Sequence, residues 1–326
     1  MQPSPSALAS EFQGRADHLE LDPSAFNTGA PDEHAPSIFH ALKSGASRRL
    51  SDFVTPLVSR IAKDYLGGET VDDALCVARR LAIQNVSNTL GFWDTADYTK
   101  RQVADIYLAA LKSLSGSGLD SYVSIKPPAL RFDPRMTVEL ADAAKSSGVR
   151  LHCDSHGPEV VELSHAMLQA MRDRVGAGCL GTTIPGRWSR SLADADWAIE
   201  RGFAVRVVKG QWPDPDNPRA DMRAGFLSVI ERLAGRARHV AVATHDMTLA
   251  AEALERLRAA GTSCELEQIL GLNSVQSLRW ASQNGIGARI YIPFGKGYIP
   301  NAMRVLKRNP KLAWIMARRL IASHES

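Results

Sequence analysis

The stretch Phe203-Ala-Val-Arg-Val-Val-Lys209 carries the pattern that decides the fold of this chain. It is a short run of β-branched and small residues that begins directly after Gly202 and ends on a charged side chain. Gly210 follows, and the apolar spacing of residues 219–234 predicts an amphipathic helix. A short apolar run followed by a helix is typical of one βα unit of a parallel sheet. The segment therefore predicts a buried strand with polar groups at its carboxyl end.

The same unit recurs along the chain until eight have been counted. The predicted strands are 86–92, 122–126, 149–154, 179–184, 203–209, 239–244, 263–269 and 288–293. The helices predicted after them are 96–114, 136–146, 159–174, 192–201, 219–234, 248–259, 275–283 and 299–307, with a last helix over 312–323. Five strands are preceded by a glycine suited to ending a helix, namely Gly148, Gly178, Gly202, Gly261 and Gly285. Eight βα units predict an α/β fold, a (β/α)8 barrel of the TIM type. An open doubly wound sheet is the alternative, but no Gly-x-Gly-x-x-Gly motif follows the first strand.

Composition divides the chain into three parts. Residues 1–36 are rich in Pro, Ser, Ala, Asp and Gly, which predicts a flexible N-terminal arm. Residues 37–84 predict N-terminal helices packed on the barrel. Residues 85–326 predict the (β/α)8 catalytic barrel together with a C-terminal helix.

Bulk composition is that of an ordinary globular enzyme. The 326 residues are 44% hydrophobic and 23% charged, with a formal net charge of +4. Because no run of five or six Lys or Arg occurs, a nucleic-acid partner is not expected. No signal peptide and no apolar run of membrane-spanning length is recognised, so we expect no integral membrane segment. The expected location is cytoplasmic, with peripheral contact at the inner membrane face left open.

The four cysteines support the same expectation. They are Cys76, Cys153, Cys179 and Cys264. None forms a Cys-x-x-Cys motif, and three lie inside predicted strands. This pattern predicts reduced, buried thiols of a cytosolic protein.

Polar residues follow the predicted strands at the barrel end where active sites lie. Lys126 ends the second strand and is stiffened by Pro127, so it is a candidate Schiff-base amine or anion clamp. Arg206 and Lys209 are three residues apart on the fifth strand. They would point to opposite faces unless the chain turns at Gly210, and glycine permits such a turn.

The third strand allows two interpretations. By alternation, His152, Asp154 and His156 share one face, and with His245 they would suit a metal ion. Since barrel metal sites usually draw ligands from several strands, we favour Asp154 paired with a lysine or arginine. On the seventh strand Glu265 and Glu267 also share a face, and buried carboxylates need partners. We expect at least one of those glutamates to meet a basic side chain.

At these residues the chain resembles the proline dehydrogenase family, an FAD-dependent barrel also found as a domain of bifunctional proline-utilisation proteins. The segments that carry the resemblance are Ser124-Ile-Lys126, Cys153-Asp154, Val205-Arg-Val-Val-Lys-Gly210, Ala243-Thr-His-Asp246, Glu265-Leu-Glu-Gln268 and Arg289-Ile-Tyr-Ile-Pro-Phe-Gly295, continuing to Arg304. Together they span roughly residues 60 to 310, and their order around eight strands makes the set specific.

The resemblance implies a flavin across the barrel mouth and a small amino- or imino-acid substrate. The residues it implies for cofactor binding are Thr182, Arg206, Lys209, Gly210, Trp212, Thr244, His245 and Asp246. It implies that Lys126 and Arg304 hold the substrate carboxylate, that Asp154 orients this charged set, and that Tyr291 shapes the pocket. The implied chemistry is hydride transfer from the carbon next to nitrogen to flavin N5, giving an imine. A quinone or another molecule would accept the electrons.

The chain departs from the family pattern in the eighth helix. There the family has an aromatic residue followed by two adjacent arginines, whereas this chain has Asn301, Arg304 and Val305. One carboxylate-binding arginine and the ring-packing tyrosine are thus replaced. Since a hydrogen bond to a charged group contributes about 1.5–3 kcal/mol, plain proline should bind roughly ten- to a hundredfold more weakly. The departure predicts a divergent member whose substrate is related to proline.

Three further functions stay open from the sequence. One is a flavin-free barrel lyase or aldolase with Lys126 or Lys209 as a Schiff-base amine. Another is a metal-dependent hydrolase that uses the histidine and aspartate set described above. The third is a barrel that binds a ligand or partner without catalysis.

Overall fold

The computed structural model describes residues 67–271 and 274–297 of the chain. The predicted arm over 1–36 and the predicted helices over 299–307 and 312–323 lie outside the described residues. So does most of the predicted N-terminal helical segment, of which residues 67–84 are described.

Eight parallel strands close into a barrel in sequence order, which confirms the predicted fold. They are β1 (Ser87–Phe92), β2 (Ser121–Ile125), β3 (Arg150–Cys153), β4 (Leu180–Pro185), β5 (Ala204–Val208), β6 (Val240–Ala243), β7 (Cys264–Ile269) and β8 (Gly287–Phe294). Each strand pairs with the next, and β8 closes the barrel against β1. Every strand bound lies within one residue of the sequence-based prediction, because the apolar runs are short and sharply delimited.

The α-helices of the described residues alternate with the strands. They are α1 (Val71–Ala82), α2 (Lys100–Leu114), α3 (Pro134–Ser147), α4 (Val161–Val175), α5 (Ser191–Arg201), α6 (Met222–Leu233), α7 (Met247–Ala259) and α8 (Ser274–Gln283). Local sequence explains where several begin. Thr70 and Thr99 form capping boxes that satisfy free N–H groups at the starts of α1 and α2. Asp221 and Asp246 cap α6 and α7 with side-chain carboxylates that accept backbone N–H groups of the first turn.

Helix α1 packs on the outside of the barrel where β8 meets β1. Gly67 leads into it, and its N–H donates to the Pro293 carbonyl at 2.8 Å. A Cβ at Gly67 would lie 2.3 Å from a methyl carbon of Ile292, so only glycine fits there. Ala74 and Ala78 of α1 are fully buried in the core. The described end of the N-terminal segment thus covers the closing seam of the barrel.

Alternation along the strands separates an apolar layer from a polar one. The side chains that face the helices form the main hydrophobic core, as Val123, Leu151 and Val207 do. The barrel interior is charged and aromatic instead, with buried Tyr122, His152, Arg206, Glu265, Glu267, Arg289 and Tyr291. Barrel interiors are usually filled by Val, Ile and Leu. A polar interior on this scale needs a nearly complete set of internal partners.

The cysteines and the membrane prediction can be compared with the structure directly. All four cysteines are free thiols, and Cys153 is buried as predicted. The prediction of burial is wrong for Cys76, which is exposed on the outer face of α1, and Cys179 and Cys264 are only partly buried. In the part of the chain that the structure describes, no helix is long and apolar enough to cross a bilayer.

Candidate active site

Arg206 lies at the centre of the polar interior beneath the mouth of the barrel. Its Nε and Nη2 atoms grip both oxygens of Glu267, at 2.8 and 2.9 Å. Its Nη1 atom donates to Oδ1 of Asp154 at 2.6 Å. The guanidinium therefore bridges two carboxylates, one on β7 and one directly after β3. Paired N–H···O bonds of this kind fix the plane of an arginine as well as its charge.

Neighbouring hydroxyl groups take the remaining donors of Arg206. Nη2 lies 3.2 Å from the Tyr122 hydroxyl, and Nη1 lies 3.3 Å from Oγ of Ser124. Burial is the largest single influence and lowers the pKa of Arg206, but Glu267, Tyr122 and Asp154 together outweigh it and raise that pKa well above its ordinary value. Every N–H group of the guanidinium thus has a protein partner. The predicted contact of Arg206 with a flavin stays a prediction.

Asp154 is held from three sides at the end of β3. Ser124 donates to its Oδ1 at 2.6 Å, and the Tyr291 hydroxyl donates to its Oδ2 at 3.0 Å. Together with Arg206 these bonds confirm the predicted pairing of Asp154 with a basic side chain. Burial and the adjacent carboxylate raise the pKa of Tyr291 well above its usual value, so its phenol stays protonated.

Gly91 on β1 makes room for Tyr291. A Cβ at this position would lie 2.0 Å from the Tyr291 hydroxyl oxygen. The tyrosine side chain therefore occupies the space that the Cβ of any residue other than glycine at position 91 would fill. The Tyr291–Asp154 bond depends on this small residue across the β1–β8 pair.

Lys126 ends β2 close to the same mouth. Its Nζ lies 3.3 Å from Oδ1 of Asp94 and 4.6 Å from the centre of the Trp93 ring. Burial lowers the pKa of Lys126, and the carboxylates of Asp94 and Asp154 offset part of that effect. The result is a mostly enclosed amine, with its side chain 15% exposed, whose proton is held less tightly than usual.

Lys209 lies on the β5–β6 side of the mouth. Its Nζ is 3.1 Å from Oδ2 of Asp246, and Arg223 reaches the same oxygen at 3.9 Å. Gly210 has a φ of +102°, so the chain takes the turn that the glycine permits. A Cβ at Gly210 would come within 2.8 Å of the Arg187 side chain. Three basic side chains therefore gather around the turn that follows β5.

Three further residues predicted for the cofactor follow β5 and β6. Thr244 accepts a hydrogen bond from the backbone N–H two residues further on, at 3.1 Å. The His245 ring accepts the backbone N–H of Ile269 at 3.4 Å. Trp212 lies in the loop after β5, with its ring centre 5.9 Å from that of His156. The strand-end residues of β3, β5, β6 and β7 thus lie along one rim of the barrel.

On β4 the predicted threonine, Thr182, and its neighbour Thr183 face opposite sides of the strand. Thr183 pairs in register with Arg206, and its Oγ1 lies 3.5 Å from Nη1 of that arginine. Thr182 therefore projects to the opposite face, and both threonines line a cleft together with Val160 and Ser164. Strand alternation places Thr183 on the interior face, and the predicted contact of Thr182 with the cofactor stays a prediction.

The histidines do not form the metal set considered from sequence. His152 lies inside the barrel with Nε2 3.0 Å from Oγ1 of Thr183. His156 directs Nδ1 at the carbonyl of Asp154, and burial lowers the pKa of its ring to about 4. Within residues 67–271 and 274–297, no group of three or more His, Cys, Asp or Glu side chains could hold a metal ion.

Some site residues lie beyond the sequence prediction or beyond the described residues. Arg304 lies outside the described residues. Asp94 and Ser124 were not predicted, although Asp94 follows β1 by two residues and the strand-end rule points to it. Glu267 was expected to meet a basic side chain and does so, but its place under the mouth needed the register of β5 and β7.

The β5–β6 side of the mouth fits the phosphate portion of FAD. A diphosphate is anionic, and Arg187, Lys209 and Arg223 are the basic side chains near the turn at Gly210. The Lys209 side chain is 38% exposed, so it can reach a ligand. The N–H groups of Arg206 are already bonded within the barrel, so Arg206 would act on the cofactor through its positive charge from beneath the site.

Fold and site together define a (β/α)8 barrel with a charged interior and a polar, cation-bearing mouth. Comparison with solved structures shows the same fold in proline utilization A. A structure from Bdellovibrio bacteriovorus, inactivated by N-propargylglycine, has a TM-score of 0.67 at 16% identity and covers 93% of this chain and 41% of its own. A mutant from Bradyrhizobium japonicum has a TM-score of 0.63 at 17% identity, over 94% and 40%. The protein from Corynebacterium freiburgense has a TM-score of 0.63 at 14% identity, over 90% and 35%.

The structural likeness confirms, at the level of the fold, the resemblance that the sequence indicated. The chain spans about two fifths of the length of the first two of these proteins. No protein-family model matches the chain, and the search of curated proteins found no match.

Proposed function

We propose that this chain is an FAD-dependent oxidoreductase that oxidises proline or a related amino or imino acid. When bound, FAD would supply the hydride acceptor, taking hydride from the carbon next to nitrogen and leaving an imine. The electrons would pass on to a quinone or another acceptor.

One observation carries the proposal. The interior of a barrel with the fold of proline utilization A holds Arg206, Asp154 and Tyr291 in one bonded set beneath the mouth. Lys126 stands beside this set, close enough for the Asp154 carboxylate to raise the pKa of its amine. These groups suit a small substrate that carries both an amine and a carboxylate.

The residues of the chain would divide the work of binding. Lys126 would hold the substrate carboxylate together with Arg304, and Asp154 would fix the charged set through its bonds to Arg206 and Tyr291. Because such bonds set the position of the reacting carbon, orientation is the main contribution of the protein. Lys209 would bind the cofactor phosphates.

Purified protein tests the proposal in two steps. A flavin absorption spectrum, or a saturable FAD titration of the apoprotein, is the first expected result. Anaerobic bleaching of that flavin by a panel of cyclic and acyclic amines, each with and without a carboxylate, is the second. A colourless protein that does not bind added FAD would reject the function and leave the fold untouched.

The buried amine of Lys126 favours a second candidate, a flavin-free lyase or aldolase. Burial lowers the pKa of Lys126, which increases the fraction of free amine available to attack a carbonyl. Borohydride trapping with small keto acids, followed by mass spectrometry, would label Lys126 in that case. A Lys126→Arg variant should then lose labelling completely.

A further inference from the structure

Glu267 is buried under the mouth, and the structure gives it more partners than a simple ion pair needs. Its side chain is 2% exposed. Besides the two bonds from Arg206, it accepts from Oγ1 of Thr89 at 2.9 Å and from the Tyr122 hydroxyl at 3.1 Å. Four donors from three strands therefore hold both carboxylate oxygens.

This anchoring determines which way Arg206 points. The two bonds to Glu267 use Nε and Nη2, which lie along one edge of the guanidinium. Only Nη1 is then left to reach Oδ1 of Asp154, and it does so at 2.6 Å. Because the group is planar, fixing one edge fixes the direction of the other.

Glu267 also sets the charge beneath the mouth. Arg206 stands between two carboxylates, so its positive charge is more than offset within the cluster. With a neutral residue in place of Glu267, the same cluster would contain one cation and one anion. A flavin above it would then experience a more positive environment, which stabilises its reduced, anionic form.

We propose that Glu267 is a positioning residue that orients Arg206 towards Asp154 and tunes the charge under the bound cofactor. Glu267 touches neither substrate nor cofactor in this scheme; it acts through Arg206. The effect on the cofactor rests on the proposed function, whereas the orientation of Arg206 does not.

The chain contains a matched control two residues away. Glu265 lies on the same strand and face and pairs with Arg289 at 2.7 Å, towards the amino-terminal end of the barrel. Both glutamates are buried partners of a buried arginine. Their amide variants should therefore both lower the unfolding temperature. Only the Glu267 variant should change the site.

The test compares wild type, Glu267→Gln and Glu265→Gln by crystallography and by flavin potentiometry. Crystals of Glu267→Gln should show the Nη1–Asp154 contact of Arg206 lost or redirected, and those of Glu265→Gln should keep it. The midpoint potential of bound FAD should shift upward in Glu267→Gln and stay at the wild-type value in Glu265→Gln. An unmoved Arg206 in Glu267→Gln, or equal shifts of potential in both variants, would overturn the proposal.

The test stays decisive if Glu267→Gln does not fold, and also if wild type binds no FAD. If Glu267→Gln does not fold, Thr89→Val takes its place in the test. This variant removes one hydrogen bond to Glu267, and it should displace the Arg206 guanidinium as Glu267→Gln would, but by a smaller distance. An unmoved guanidinium there would also overturn the proposal. Should wild type bind no FAD, the proposed function fails, while the crystal structures still decide whether Glu267 orients Arg206.

Discussion

Asp154→Asn tests the energetics of the bonded set under the mouth. The substitution keeps the shape of the side chain and removes its charge. It takes away the charge-assisted bond from Arg206 and weakens the bonds from Ser124 and Tyr291. Hydrogen bonds to charged groups contribute about 1.5–3 kcal/mol each, and Arg206 keeps Glu267 as a partner. We therefore expect a loss of about 2–3 kcal/mol in the free energy of unfolding, or roughly 3–4 °C in Tm for a chain of 326 residues.

Asp120→Asn is the control for that experiment. Asp120 also pairs with a buried arginine, Arg289, but its side chain is 71% exposed against 17% for Asp154. Solvent screening limits exposed pairs to about 0.2–1 kcal/mol. Urea unfolding followed by circular dichroism measures both variants under the same conditions. Equal losses, or a larger loss for Asp120→Asn, would refute the view that the Arg206 cluster is a strongly coupled unit.

Three other predictions follow from the site. Arg304→Ala should raise the KM of the substrate at least tenfold with the FAD content unchanged, and a KM equal to that of wild type would remove Arg304 as the carboxylate clamp. Lys209→Ala should weaken FAD binding roughly tenfold in a fluorescence titration, since one charge-assisted contact to phosphate is lost; an affinity equal to that of wild type would contradict this. Burial lowers the pKa of His156 to about 4, so the folded state resists a proton that the unfolded chain accepts near pH 6.5. The stability that this residue contributes is therefore present above about pH 6.5 and is lost as the pH falls towards about 4. Across that window the free energy of unfolding of His156→Gln should decline less steeply with falling pH than that of wild type.

The strand ends show how far local sequence could predict the site. The sequence predicted Lys126, Asp154 and Lys209 as candidate site residues because each directly follows an apolar run. Such a position can be recognised from the order of residue types alone. The sequence permitted a turn at Gly210, because glycine readily adopts a positive φ, and the structure shows that the turn is made. The assignment on β4 depended instead on which side chain faces the barrel interior. The family resemblance indicated Thr182 for the cofactor, which stays a prediction, and the strand register shows that Thr183 faces the barrel interior.

The sequence by itself determined the eight strands, their limits and the barrel they form, because each βα unit is specified by contacts within about thirty residues. It also indicated that a buried glutamate on β7 must have a basic partner. Only the tertiary structure decided that Arg206 joins Glu267 to Asp154, residues 61 and 52 positions away along the chain. Such pairings depend on the stagger of neighbouring strands around a closed barrel. That stagger arises when all eight strands pack together, so no single segment encodes it.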